Sequence, residues 1–544
     1  MECTSSNEDE ISIAPSHAST VSEQDPEPKG AQQPPATLSR TTSVTPDAIV
    51  VDRRDRRGMF ARLTIIPEVK NPYHYARKTK WLITVIVAVC AMAAPMGSAI
   101  VMPVLADIAE DFGASHALAN MSVAVYMLAM SIFPLWWSSF SETAGRRSIY
   151  FISFVLFVVF GIISALSTNM VMLIVMRALS GGAAASVQAV GAGTVADIWE
   201  VKERGNAMGV FYLGPLCGPL FAPILGGIIG QELGWRSTQW FLVIYGGITV
   251  LLILFALPET LPTKNRKPLR AQPPQPTSSE KDPARPDLNR VSTRQSVQQT
   301  TKFYASILRQ IFLDPLYVLT WLRYGPIALT VYYASITFGS LYFLNISIQA
   351  TFAKEPYHFS TLIIGLLYIP NSIGYILASI FGGRWIDHIM HREARKAGRY
   401  DDRGKLVLQP EDRMKENAWI ACVLWPGALI WYGWSAQYGV IWIVPMIANF
   451  FFGIGSMLIF AVASTMLTEF MPKRASTGIA INNFVRNIFS FTGAMVAEPI
   501  MSAIGNGWLC TILGLWSLGS GIAVIWAMGR YGPQWRGRMV AALG

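Results

Sequence analysis

Apolar residues along this chain gather into runs of about 20, the length a helix needs to cross the hydrocarbon core of a bilayer. The runs begin near Trp81, Leu118, Ile149, Met170, Ala207 and Trp240. A second set begins near Ile327, Leu362, Ala418, Val440, Thr477 and Trp508. Between the sets lies a polar stretch with Gln-Pro-Pro-Gln-Pro and many Ser, Thr, Lys and Arg, which cannot bury a core. The pattern predicts an all-α membrane protein with twelve transmembrane helices, six on each side of a linker. The expected organisation is a disordered cytoplasmic tail (1–75), a six-helix bundle (76–258) and a cytoplasmic linker (259–315). A second six-helix bundle (316–530) with a long basic loop (384–416) and a cytoplasmic tail (531–544) complete it.

Composition agrees with that reading. Of 544 residues, 52% are hydrophobic and 14% charged, against about 25% charged in soluble domains. The net charge of +10 does not point to nucleic acid, because the basic residues sit in loops rather than on one amphipathic face. One side of the expected membrane receives Arg77, Lys78 and Lys80, Arg146 and Arg147, Lys202 and Arg204, the linker, Arg384–Lys415, Lys473 and Arg474, and Arg530, Arg536 and Arg538. The connections on the other side hold Arg236 and Lys354. The positive-inside rule therefore predicts that both termini are cytoplasmic. No cleavable signal peptide is seen, and the run at Trp81 reads as an uncleaved anchor. Cys90, Cys217, Cys422 and Cys510 lie in apolar runs and make no disulfide framework. His388 and His391 share a basic loop, but two imidazoles without thiolate or carboxylate geometry are a poor metal site. In the tail, Arg40-Thr-Thr-Ser43 fits a kinase pattern that is common by chance.

The halves repeat. Ser138-Ser-Phe-Ser-Glu142 and Gly383-Arg-Trp-Ile-Asp387 both place an acid four residues after a small residue at a cytoplasmic helix end. Lys202-Glu-Arg204 and Pro472-Lys-Arg474 occupy matching later loops. Duplicated, pseudo-symmetric six-helix halves with a site between them are a transporter plan. After Glu142, Gly145 permits a tight turn before Arg146 and Arg147. The loop reads either as a positive-inside anchor alone or as a latch, with Glu142 and Arg146 pairing with Asp197 across helix ends.

Charges inside apolar runs are costly, roughly 2.5–3.5 kcal/mol each on insertion scales, and by default mark function. Arg177 sits some way inside the fourth run, where it faces a cavity or snorkels to the interface. Arg486 lies ~13 Å past Thr477 at a rise of about 1.5 Å per residue, with Asn482 and Asn483 on the same helical face. That stripe, with Asn487, either lines a cavity or glues helices together. Glu498, before Pro499, is either a proton-accessible carboxylate or an interface residue. Gln188, Tyr332, Tyr333 and Asn449 are further candidates for binding substrate. In the fifth run, Gly214, Pro215, Gly218 and Pro219 bend the helix and let a neighbour pack closely.

These motifs resemble the major facilitator superfamily. Gly145, Arg146 and Arg147 match its Gly-x-Leu-Ala-Asp-Arg-x-Gly-Arg-Arg/Lys loop, with Glu142 standing for the Asp. Leu173-Ile-Val-Met-Arg177 is similar to its fourth-helix pattern, although Ser180 replaces a Gln. Gly214-Pro-Leu-Cys-Gly-Pro219 is similar to its antiporter motif, with Pro219 for the last Gly. Ser180–Trp199, Gly398-Arg-Tyr400 with Pro410-Glu-Asp-Arg413, and Tyr531-Gly-Pro-Gln-Trp535 resemble the fungal twelve-helix drug:proton antiporters of the quinidine-resistance, polyamine and dityrosine exporter branch. The resemblance implies proton coupling through Arg177 and export rather than uptake. It implies a plasma-membrane carrier of drugs, polyamines or secondary metabolites, driven by the proton gradient without a cofactor. A small-molecule substrate and the bilayer are its expected partners, with no nucleic acid, and a monomer is expected. One alternative is an organic-acid exporter in which Arg177 and Arg486 clamp a carboxylate, and another is a transporter-like sensor. No cluster of nucleophile and base points to an enzyme.

Overall fold

The computed structural model describes residues 48–262, 314–400, 406–471 and 475–543. The phosphorylation pattern at Arg40, most of the linker and the loop at Lys473 and Arg474 lie outside them. The first half holds α1 (Arg77–Ala99, prolonged by Met102–Val104 and Leu105–Asp111), α2 (His116–Ala144), α3 (Arg146–Ala165), α4 (Met170–Ala184, resuming as Ser186–Ile198), α5 (Val201–Leu233) and α6 (Arg236–Ala256). The second holds α7 (Gly325–Phe352), α8 (Thr361–Leu366, resuming as Ile369–Lys396), α9 (Glu416–Gln437), α10 (Ile443–Phe470), α11 (Ala475–Ile504) and α12 (Asn506–Leu543).

Among the described residues, 10 helices are long and apolar enough to cross a membrane. The other two of the twelve are α9 and α11. Helix α9 is rich in amphipathic Trp and Tyr, and α11 carries Asn482, Asn483, Arg486 and Asn487. Both are packed among neighbours, which is where a helix of such composition belongs.

Packing follows the repeat. In the first half α1 lies against α5, α2 against α4, and α3 against α6. In the second, α7 lies against α11, α8 against α10, and α9 against α12. Adding six to each number converts one set into the other. The halves meet through α2 with α11 and through α5 with the start of α8, and the same operation exchanges these two contacts.

Several segments read as polar connectors are built into the fold. Residues 48–75, placed in the disordered tail from sequence, form a strap across the end of the first half. Val51 N donates to Glu68 O (2.8 Å) and Ile65 N to Phe255 O (2.8 Å). Arg57 pairs with Glu68 (2.5 Å), and Tyr75 is buried. At the start of the expected linker, Glu259 is only 3% exposed. The loop expected from 384 is helical as far as Lys396, and the expected tail from 531 continues α12 to Leu543. These segments are polar because they lie beyond the apolar spans, and they are ordered because buried ion pairs and helix ends hold them.

Candidate functional site

The end of the molecule that carries these polar segments is called here the basic end, and the opposite one the far end. At the basic end, Gly145 takes φ 98° and turns the chain from α2 into α3. The left-handed value suits glycine, and an added Cβ would strike the Glu259 carboxylate. Arg146 reaches Asp197 at the end of α4 (3.1 Å) and donates to Ser141 Oγ (2.6 Å). The pair expected between Arg146 and Asp197 is therefore present, with Glu142 half-buried on the last turn of α2.

Arg147 does something else. Its guanidinium is buried and donates to the carbonyls of Ile253 (2.8 Å), Leu254 (2.8 Å) and Leu257 at the end of α6, and to Met59 (3.1 Å) and Phe60 (3.2 Å) in the strap. Glu259 accepts from the amides of Arg146 (2.9 Å), Arg147 (3.3 Å) and Leu261 (2.9 Å). Burial pushes the Glu259 carboxyl pKa up, against the lowering effect of the Leu261 and Arg146 amides. Together these groups staple strap, α3 and α6.

The second half carries its own cluster. Arg413 reaches Asp387 (3.1 Å), which lies inside α8 rather than at its expected end because the helix runs on to Lys396, and Glu469 at the end of α10 (2.5 Å). Burial opposes the Arg413 charge, but Glu469 and Asp387 outweigh it and raise its pKa. Arg146 ties the end of α4 and Arg413 the end of α10, the matching positions of the repeat. The Asp387 side chain is 63% exposed and that of Glu469 32%, so solvent screens both pairs. Arg413→Ala is expected to lower stability by only about 1–2 kcal/mol. A double-mutant cycle with Glu469→Gln in thermal unfolding checks this, and full additivity would show that the pair contributes nothing.

Arg177 lies inside the first bundle, 1% exposed. It donates to Ser122 O (3.3 Å), Gly97 O (3.0 Å) and Gln239 Oε1 (3.4 Å), and its guanidinium carbon stands 5.1 Å from the Tyr126 ring centroid. It joins α1, α2, α4 and α6. The glycine–proline helix has an equally definite task. A Cβ at Gly214 would overlap Ala88 O, and one at Gly218 would press on the α1 backbone at Met92 and Met96. Pro215 lies inside α5 between these contacts and Pro219 directly after the second.

Arg486 differs from Arg177. It is half-buried, with its guanidinium carbon 4.5 Å from the Phe338 centroid and 5.2 Å from that of Phe460. Tyr212, Tyr342 and Tyr375 lie within its electrostatic reach. Tyr212 belongs to α5, so the group spans the two halves. Nε of Arg486 is buried without a hydrogen-bond partner, and no carboxylate among the described residues pairs with it. Asn482 and Asn483 share its helix, and Asn482 Oδ1 is unpartnered.

The other sequence candidates are scattered. Tyr332 accepts from Trp516 on the exposed side of α12 (3.1 Å), and Tyr333 is sealed beside Cys422. Asn449 is 0% exposed in the second bundle, and its amide is unpartnered among the described residues. Gln188 is buried in α4 with Oε1 unpartnered. Sequence reasoning missed Phe338, Tyr342, Phe460 and Tyr212, aromatic residues that nothing in their own stretches sets apart from packing residues. It also missed Glu259 and Arg413, which sit in polar ones.

Toward the far end the halves are tied directly. Glu498 Oε2 accepts from Asn120 Nδ2 of α2 (2.7 Å), and Tyr342 OH bonds Ser98 Oγ of α1 (3.0 Å). Gln231 Oε1 accepts from Leu362 N (3.1 Å). At mid-depth Ser131 Oγ donates to Phe484 O (2.7 Å). The described residues hold no group of three or more His, Cys, Asp or Glu placed to bind a metal ion.

Comparisons with known proteins agree with this architecture. Residues 87–494 match the Major Facilitator Superfamily. The chain is 34% identical to the MFS antiporter QDR3 of Candida albicans, covering 90% of this chain and 83% of that protein. It is 31% identical to quinidine resistance protein 3 of Saccharomyces cerevisiae, covering 92% and 88%. It is 46% identical to the MFS transporter OpS2 of Beauveria bassiana, over 66% of this chain and 99% of that one. The crystal structure of the human organic anion transporter MFSD10 shares the fold, with a TM-score of 0.53, 15% identity and coverage of 82% of this chain and 99% of that chain. The chain is a membrane-spanning transporter, not an enzyme: it belongs to the Major Facilitator Superfamily and fits its fungal drug:proton antiporter branch.

Proposed function

We propose that this transporter is a proton-driven exporter of small organic molecules that works by alternating access, as a monomer in the plasma membrane with both termini cytoplasmic. The observation that carries the proton is the Asn120–Glu498 bond across the two halves. Glu498 accepts that bond whether it is ionised or protonated. Protonation removes the charge of Glu498 where the two halves meet and leaves the acceptor for Asn120 in place. Proton uptake from the far side thus favours closing that side. Release of the proton toward the basic side then frees the carrier for the next outward step. The direction of export rests on the resemblance of Gly214–Pro219 to the antiporter motif and on a relative named an antiporter.

Glu498→Gln keeps the shape and the bond to Asn120 while fixing the neutral state. The variant is expected to lose at least tenfold of gradient-driven efflux in proteoliposomes while retaining substrate exchange. Efflux that still follows an imposed pH gradient in this variant excludes Glu498 as the coupling group. Wild-type efflux indifferent to the gradient ends the antiport reading altogether.

A further inference from the structure

We infer that the central site takes planar aromatic acids anchored by Arg486, in preference to organic cations or polyamines; this deepens the exporter reading above and rests on it. A guanidinium inside a membrane helix needs compensation. Arg177 has it, from two carbonyls, an amide and a ring. Among the described residues Arg486 has no carboxylate partner, and its Nε has no acceptor. It keeps instead the faces of Phe338 and Phe460, whose ring centroids stand 5.0 Å apart. Rings delocalise the interaction with a cation, but they accept no ordinary hydrogen bond. The acceptor is left for a ligand to bring.

The fork of a guanidinium matches a carboxylate or phenolate, and its plane stacks on aromatic rings. Tyr342 and Tyr375 from the second half and Tyr212 from the first lie within electrostatic reach of the charge. Phenolic hydroxyls donate to an anion, and their rings suit a flat aromatic body. An organic cation here meets a fixed positive charge with no described carboxylate beside it to offset the repulsion. Occupancy also has a route to the gate. Tyr342 bonds Ser98 of α1 (3.0 Å), so an anion that recruits the Tyr342 hydroxyl competes with a tie that holds the far end shut.

The test uses probes that share one ring frame. Proteoliposomes of the full chain under an imposed pH gradient are given fluorescein, an anionic xanthene, and rhodamine 6G, a cationic one, with salicylate and spermidine alongside. Fluorescein and salicylate are expected to move at least tenfold faster than rhodamine 6G and spermidine. Arg486→Gln is expected to cut flux of the acids at least tenfold, and Arg486→Lys to restore part of it, since a point charge lacks the planar fork. Should Arg486→Gln fail to accumulate, Arg486→Lys and Phe338→Leu carry the test, each expected to raise the half-saturating fluorescein concentration severalfold. Flux of rhodamine 6G or spermidine with the acids left behind overturns the acid preference and leaves the exporter standing. Acid flux unchanged in these variants overturns the role of Arg486. Gradient-dependent flux of none of the four probes overturns the exporter reading itself.

Discussion

Arg147→Gln is expected to destabilise the transporter by ~3–5 kcal/mol, the range for breaking a buried charged contact, and to release the strap at 48–75. The carbonyls of Ile253, Leu254 and Leu257 belong to the last turn of α6 and its exit, where a helix has no partners of its own. A cation there also suits the negative end of the helix. Met59 and Phe60 hand their carbonyls to the same side chain, so one substitution orphans both elements at once. A lysine can satisfy only part of this set, so Arg147→Lys should fall between wild type and Arg147→Gln. Thermal unfolding in detergent reads the loss, and limited proteolysis reads the strap through cleavage between Val51 and Val69. An Arg147→Gln protein with unchanged melting and an uncut strap would show the staple to be ornamental.

Gly214→Val is expected to abolish transport by preventing the first bundle from assembling. An added Cβ overlaps the carbonyl oxygen of Ala88, and backbone cannot turn aside as a side chain can. Overpacking of this kind costs roughly 1–3 kcal/mol for a small group and more for a branched one. Gly214→Ala should therefore be intermediate. Gly247→Ala is the control, because nothing lies within 4 Å of a Cβ there, and it should behave as wild type. Size-exclusion profile and melting temperature check the series before flux is read. If Gly214→Val is monodisperse, stable and active, α1 and α5 do not approach as closely as the structure has them.

Fold was legible where burial has a period or a length. Apolar runs of spanning length located each of the twelve long helices, because a bilayer leaves no other way to satisfy a backbone. The latch from Arg146 to Asp197 was legible too, since the motif fixes which helix ends carry the charges. The central site was less so. Along α7 the polar residues Thr330, Ser335, Thr337, Ser340, Asn345, Ser347, Gln349 and Thr351 are spread round the helix among apolar and aromatic ones, so the pattern cannot say which side meets the other half. Tyr332 and Tyr333 were chosen from that run, whereas Phe338 and Tyr342, four residues apart on one face, are the pair at Arg486. The polar connectors misled in the opposite direction. Glu68 and Glu259 look like solvated loop residues and are 1% and 3% exposed, because Arg57 of the same strap meets the first and the amides of Arg146 and Arg147, far away in sequence, meet the second.

The sequence by itself determined that this protein crosses a membrane through two repeated halves, with charge gathered at one end. Those properties follow from the composition of each segment and the cost of placing it in lipid. Only the tertiary structure decided that Arg177 is hydrogen-bonded within one bundle while Arg486 packs on two rings with no carboxylate beside it among the described residues, and that Arg147 staples the strap to the end of α6. All three are costly charges in sequence. What separates their roles is the number of acceptors that other helices bring to each, and that number exists only once the helices have packed.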